Sequence, residues 1–154
     1  MNKWMTLGIG VFVVAVAALT VILILPSPTH APTKEHADTT DMGNAAELQD
    51  LIRVTTPAPG GTAGSPLAVS GEARGTWYFE ASFPYELRDA SGNVIAQGPV
   101  QAASDWMTTD FVPFTVSISY PAQPSGSHGT LILKKDNPSG LPENEKSLTI
   151  PVVF

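Results

Sequence analysis

The segment from residue 106 to residue 110 combines side chains that suit molecular recognition, and it reads Trp-Met-Thr-Thr-Asp between two predicted strands. A large amphipathic ring among hydroxyl and carboxylate groups is typical of a recognition loop, because Trp often dominates binding energy. The predicted binding surface has six residues: Trp106, Thr108, Thr109, Asp110, Tyr78 and Glu80. The alternative is that Trp106 folds inward beside Phe111 and Phe114 and caps the core.

Several carboxylates could in principle form the acid–base pair of a glycosidase, and these are Glu72, Glu80, Glu86, Asp105 and Asp110. Such a pair must face a shared cleft, and a small sandwich offers little cleft. Glu80 stands out because it lies on a predicted strand between the polar residues Tyr78 and Ser82. An ion pair with Arg74 or Arg88, or backbone bonding near a sheet edge, is the favoured role. We therefore predict no catalytic residues.

Two further polar motifs have structural explanations. Asp89, Ser91 and Asn93 resemble part of a calcium loop, but the closing Glu is missing and Asx side chains favour turns. Ser127 and His128 place a hydroxyl beside an imidazole, yet neighbours in a Gly-rich turn rarely align a nucleophile with its base. Both segments are predicted to be turns.

Composition excludes several classes of function. The chain has no Cys, so thiol catalysis and thiolate metal sites are excluded, and its three His residues give little basis for a metal centre. No cofactor is expected. The net charge of −6 argues against nucleic acid, which requires a basic surface.

The N-terminal region predicts attachment to a membrane. Trp4 to Leu25 is an uncharged run of 22 residues, about 33 Å long as a helix, which is enough for a hydrocarbon core of about 30 Å. Lys3 precedes the run and acidic residues follow it, so residues 1–3 are expected in the cytoplasm and the rest outside. The predicted location is the cytoplasmic membrane, with a single span. The alternative is a cleaved signal peptide.

A tether follows the apolar run. Residues 26–50 are rich in Pro, Thr, Ala and charge, and lack apolar periodicity. Near the end of this linker, Asn44 and Glu47 have the spacing of a capping box, which predicts a short helical turn with Asn44 as its N-cap.

Residues 51–154 predict an all-β domain. Seven short β-rich runs occur, separated by Gly- and Pro-containing breaks, and residues 114–120 alternate between apolar and small polar side chains. Trp77 to Asp89 is predicted to be one long strand, with Trp77 and Phe79 facing the core. These features favour an antiparallel, immunoglobulin-like β-sandwich, and a small open barrel is the alternative topology.

Several blocks in this domain resemble the Gmad2 family, the immunoglobulin-like domain of bacterial spore germination proteins. The blocks are Ser65-Pro-Leu-Ala-Val-Ser-Gly71, Trp77-Tyr-Phe-Glu-Ala-Ser-Phe83, Trp106 to Phe114, Asp136-Asn-Pro-Ser-Gly140 and the closing Ile150-Pro-Val. The resemblance implies an exported, non-catalytic module, and it alone suggests a role in spore germination.

Together these features predict a membrane-anchored accessory module of the bacterial envelope. Its expected partners are the cytoplasmic membrane, through Trp4 to Leu25, and an envelope protein. The main alternative is a module that binds peptidoglycan or another cell-wall glycan through aromatic rings. A small envelope hydrolase is a third, weaker reading.

Overall fold

The structure, a computed structural model, describes residues 44–154. The predicted membrane span over Trp4 to Leu25 and the tether before Asn44 lie outside the described residues. Within residues 44–154, no helix is long and apolar enough to cross a membrane.

Eight strands form two sheets, which agrees with the predicted all-β class. One helix, α1 (Ala45–Leu48), precedes them. In chain order the strands are β1 (Ile52–Thr56), β2 (Gly61–Thr62), β3 (Leu67–Arg74), β4 (Ser82–Arg88), β5 (Val94–Gln101), β6 (Phe111–Ile118), β7 (His128–Lys134) and β8 (Ser147–Val153). The first sheet has the order β1-β3-β6 and the second has the order β2-β8-β7-β4-β5. All pairings are antiparallel except that between β2 and β8.

The core lies between the inner faces of the two sheets, because alternate residues of each strand point inward. On β3 the buried residues are Leu67, Val69 and Ala73, and on β8 they are Leu148, Ile150 and Val152. Phe83 stacks edge-on against Phe114 with ring centroids 5.2 Å apart, and this pair joins the sheets at their centre. The Trp77 ring is also fully buried, as predicted.

The predicted long strand from Trp77 to Asp89 is wrong in its first part. Gly75–Trp77 forms a turn of 3₁₀ helix, and β4 begins only at Ser82. Between them, Phe79 and Ser82 pair across a two-residue turn made of Glu80 and Ala81. The strand alternation expected for this stretch therefore fails, and Phe79 is 41% exposed instead of buried.

The short helix at Asn44 forms as predicted, but the capping box does not. Asn44 makes no side-chain cap to α1. Its amide instead bonds to β8, where Nδ2 donates to the Ser147 carbonyl and Oδ1 accepts from the Thr149 N–H, both at 2.8 Å. The side chain thus satisfies backbone groups of β8 in the way a neighbouring strand would.

A candidate binding surface around Trp106

The loop that carries Trp106 connects β5 to β6 and is held against the turn at Gly75. The Gly75 N–H donates to the Asp110 carbonyl at 3.0 Å. A Cβ atom at Gly75 would overlap the carbonyl oxygens of Trp106 and Thr108. Only glycine permits this approach, so the backbone at residue 75 fixes the position of the loop.

Short bonds within the loop set its shape. The Asp105 carboxylate accepts from the Met107 N–H at 3.0 Å, and the Thr108 hydroxyl accepts from the Asp110 N–H at 3.1 Å. These are side-chain turns of the kind that Asx and Thr residues favour. They turn the Met107 side chain outward, and it is 77% exposed.

Three apolar side chains form the centre of the surface. The Trp106 ring is half-buried and packs on the core, and the Phe79 ring meets it edge-on with centroids 6.5 Å apart. Met107 projects beside them. We call Phe79, Trp106 and Met107, with the shallow groove lined by Thr76, Thr108 and Thr109, the Trp106 surface. Trp106 thus combines the two predicted alternatives, because its ring both covers the core and borders the groove.

The turn at Glu80 and Ala81 has unusual backbone geometry. Both residues have positive φ, 49° at Glu80 and 61° at Ala81. The residues on either side bond to each other: the Phe79 N–H donates to the Ser82 carbonyl at 2.9 Å, and the Ser82 N–H donates to the Phe79 carbonyl at 3.0 Å. This is the two-residue hairpin turn that normally favours Asn-Gly. Side chains with a Cβ atom are strained there. The turn holds the Glu80 carboxylate at an exposed tip next to Phe79.

Tyr78 is predicted to be part of the binding surface, but in the structure its side chain is buried. It is only 4% exposed, its hydroxyl donates to the Val112 carbonyl at 2.9 Å, and its ring stacks edge-on against Phe83. Burial raises the pKa of the Tyr78 hydroxyl. Tyr78 therefore supports the groove from below and presents no open ring to a ligand.

The other predicted site residues lie at this end of the sandwich. Thr108 and Thr109 line the groove, and Asp110 is exposed where the loop enters β6. Glu80 takes part in no ion pair within the described residues, so the predicted bridge to Arg74 or Arg88 does not form. Met107 lies within the recognition segment predicted from the sequence, although it is not one of the six predicted site residues. The exposure of Phe79 was not predicted, because the turn at Glu80 and Ala81 carries no Gly or Asn.

Glu86 is the carboxylate that does form ion pairs. It bonds to Lys134 on β7 and to Arg88 on its own strand, on the outer face of the second sheet. Hydrogen bonds from Lys134 and then from Arg88 lower the pKa of Glu86. The pair with Lys134 links two neighbouring strands and the pair with Arg88 lies along β4, so the position of Glu86 is explained by the stability of the sheet.

The Asp89 motif forms a turn as predicted. In the second motif Ser127 closes a turn that begins at Pro124, but His128, which was predicted to lie in the turn, is the first residue of β7. The Asp89 carboxylate accepts from the Ser91 and Asn93 N–H groups at 2.9 Å, and these bonds, led by those from Asn93, lower the pKa of Asp89. The Ser127 hydroxyl donates to the Pro124 carbonyl at 2.6 Å. Both side chains form hydrogen bonds with main-chain groups of their own turn.

A second concave region lies beside the loop between β7 and β8. It has a volume of about 660 Å³ and is lined by Lys134, Lys135 and Lys146, the three lysines of the described part of the chain. Asp136 and Glu145 line it as well, and Lys134 is paired with Glu86. The carboxylates of Asp136, Glu145 and Glu86 therefore largely balance the positive charge of this cleft.

Comparison with known proteins supports the family resemblance. The model of the Gmad2 family, described as the immunoglobulin-like domain of bacterial spore germination, matches residues 51–140. No curated protein and no solved structure matches the chain. The match covers more than half of the chain and most of both sheets, including the Trp106 loop. This chain is therefore a member of the Gmad2 family.

Proposed function

We propose that this protein is a non-catalytic accessory module of the bacterial cell envelope, anchored in the cytoplasmic membrane by Trp4 to Leu25, that binds another protein outside the cytoplasm. Family membership supports the accessory role, and the apolar N-terminal run supports the anchor. A part in spore germination is proposed from the family alone. Confinement to a membrane raises effective concentration, so a modest surface can suffice for binding.

The observation that carries the proposal is the exposure of two large apolar side chains beside a half-buried tryptophan. Phe79 is 41% and Met107 77% exposed, and both lie at the Trp106 surface. Clustered exposed apolar groups commonly mark a contact with another protein. Met and aromatic residues are also enriched in protein interfaces, and Met adapts to the shape of its partner.

A protein partner fits this surface better than a glycan does. Sugar rings stack on open aromatic faces, but Tyr78 is buried and Trp106 is half-covered by its packing on the core and by the edge of Phe79. The most exposed group is the Met107 thioether, which has no flat face to offer.

Site-specific crosslinking in membranes tests this proposal. A photoreactive residue replaces Met107 in the full-length chain, and the control places the same residue at Ser91, in the exposed Asp89–Asn93 turn. The expected result is a discrete adduct from position 107 that is absent from position 91, is lost in Trp106→Ala and survives digestion of the wall. Equal adducts from both positions, or an adduct that wall digestion removes, would contradict a protein contact at the Trp106 surface.

The proposed topology has its own test, which uses the absence of Cys from the chain. A single Cys at Ser91 should react in intact cells, or in spheroplasts, with a maleimide that cannot cross membranes. A Cys introduced at Asn2 should react only after the membrane is opened. The reverse pattern would overturn the proposed orientation.

A further inference from the structure

We infer that the Trp106 surface binds a basic segment of its partner, one in which lysine or arginine side chains flank an apolar anchor. This inference rests on the proposed function and specifies the chemistry of the occupant. It follows from the charges around the apolar centre, from the nature of the exposed Phe79 ring and from the position of Glu80.

Three carboxylates border the apolar centre. Glu80 follows Phe79 directly, Asp105 precedes Trp106, and Asp110 lies where the loop enters β6. None of the three belongs to an ion pair within residues 44–154. One Asp105 oxygen accepts the Met107 N–H and leaves the charge of the carboxylate uncompensated. A partner that buries the apolar centre must therefore approach three negative charges.

Within the described residues, one cation, Arg74, bonds to the Trp106 loop. The Arg74 guanidinium lies 4.0 Å from the centroid of the Phe111 ring and donates to the Asp50 and Thr109 carbonyls at 3.1 and 3.2 Å. The three lysines of the described residues line the separate cleft beside the β7–β8 loop. Arg74 keeps its positive charge, but one cation against three carboxylates leaves the Trp106 surface net negative, which favours a basic partner. An acidic partner would meet repulsion there, which disfavours its docking.

The exposed Phe79 ring also favours a cationic partner. Guanidinium and ammonium groups are attracted to aromatic faces, and this attraction strengthens when water is excluded. The domain itself uses the pairing, since Arg53 and Arg74 both lie over the Phe111 ring, at 4.1 and 4.0 Å from its centroid. Phe79, whose ring is exposed, can offer the same contact to a cation of a partner, while Met107 fits around an apolar anchor.

The turn at Glu80 adds a further indication. A residue with a Cβ atom is strained at positive φ, whereas glycine is not. The chain places a glutamate at this position, at φ 49°, where Asn or Gly would relieve the strain. Strained backbone of this kind often coincides with functional sites. Despite this strain, the chain has a carboxylate at the tip of the turn, beside the exposed Phe79 ring.

Binding of three matched peptides tests the inference. Each is eight residues long, acetylated, amidated and dye-labelled, with Leu at the same two positions and Lys, Gln or Glu at the other six. The full-length chain, purified in a nonionic detergent, is titrated into each peptide and anisotropy is followed, with detergent alone as a blank. We expect the Lys peptide to bind at least tenfold more tightly than the Gln peptide. Binding of the Glu peptide should be the weakest.

Charge-neutral variants locate the effect on the protein. Glu80→Gln, Asp105→Asn and Asp110→Asn together should weaken binding of the Lys peptide at least tenfold, and Trp106→Ala should abolish it. The matched control, Glu47→Gln, Glu143→Gln and Glu145→Gln together, removes the same charge from exposed positions elsewhere and should change affinity less than twofold. Raising the salt from about 50 to 500 mM should weaken binding of the wild-type chain by screening.

Three results would contradict a basic occupant of the Trp106 surface. Equal affinity for the Lys and Gln peptides, with loss of both in Trp106→Ala, would overturn the basic occupant and leave the surface as a docking site. Equal weakening by the control triple variant would show a general charge effect and overturn the inference. Failure of all three peptides to bind would also overturn it. The Met107 crosslink decides the proposed function independently of these results.

Discussion

The backbone of Gly75 lies so close to the carbonyl oxygen of Thr108 that no side chain fits between them. The same glycine also approaches the Trp106 carbonyl, and its N–H bonds to Asp110. Three residues of the Trp106 loop therefore meet at one backbone position, two residues before the core residue Trp77. The arrangement of the Trp106 surface depends on this contact.

Replacement of Gly75 by Ala is expected to displace the loop. The added methyl group overlaps two carbonyl oxygens, and such overpacking costs about 1–3 kcal/mol of unfolding free energy. Denaturant unfolding measures the loss, and the NMR signals of Trp106 and Met107 should shift. The control is Gly64→Ala, where the nearest atom to a new Cβ is 3.8 Å away. Equal stability of both variants would contradict the close approach.

Relief of strain at the hairpin turn should stabilise the domain. Replacing Glu80 and Ala81 by Asn and Gly supplies the pair that this turn favours, and about 1 kcal/mol of added stability is expected. Glu80→Gln keeps the strained backbone and should leave the melting temperature unchanged. A melting temperature that does not rise in the Asn-Gly variant would show that the turn is not strained. If the basic-partner inference holds, both variants lose part of their affinity for the Lys peptide.

The ion pairs of Glu86 predict a stability difference that depends on pH. The pKa of Glu86 is lowered in the folded state by bonds from Lys134 and Arg88. Its contribution is therefore present above the ordinary pKa of a glutamate and is lost as pH falls through the lowered value. Glu86→Gln should lose about 1 kcal/mol at pH 7, because the half-exposed partners are screened by water.

Thermal unfolding from pH 7 to pH 2 measures this effect. The curves of the wild-type chain and Glu86→Gln should converge in acid. Glu143→Gln, at an exposed position on the β7–β8 loop, serves as the control and should follow the wild type throughout. A constant gap at all pH values would mean that Glu86 acts through packing and not through its charge.

Tyr78 predicts an effect at the alkaline end. Burial raises the pKa of its hydroxyl, so the folded state favours the neutral form and stability falls once pH exceeds about 10, the ordinary tyrosine value. Tyr78→Phe should cost about 1 kcal/mol at pH 7, because the Val112 carbonyl loses its donor. The variant should also lose stability less steeply between pH 9 and 11. Parallel curves in this range would contradict the burial of the hydroxyl.

Features that depend on local sequence were predictable. Phe114 and Ile118 are buried and alternate with exposed Thr115 and Ser117, as the two-residue period of β6 requires. The hairpin at Asp89 to Asn93 was likewise predicted from side chains that bond to their own backbone. Each of these structures is determined within a few residues, so a pattern in the chain was enough to find them.

Features that depend on distant contacts were not predictable. The pairing of β2 involves only Gly61 and Thr62 with Val152 and Val153, far along the chain, and a strand of two residues has no periodicity. The turn at Glu80 and Ala81 lacks the usual Gly or Asn, so the strand alternation runs through it unbroken and predicts Phe79 in the core. The half-burial of Trp106 follows from the path of the loop between two sheets, which no local pattern determines.

The amide of Asn44 gives the domain a defined point of mechanical attachment. Its two bonds to Ser147 and Thr149 fasten the chain to the beginning of β8, a strand held between β2 and β7. A tensile force that arrives along the preceding residues meets this side chain before it reaches β1. While the two bonds hold, such a force passes directly to β8, and α1 and β1 bear it only after the bonds have broken.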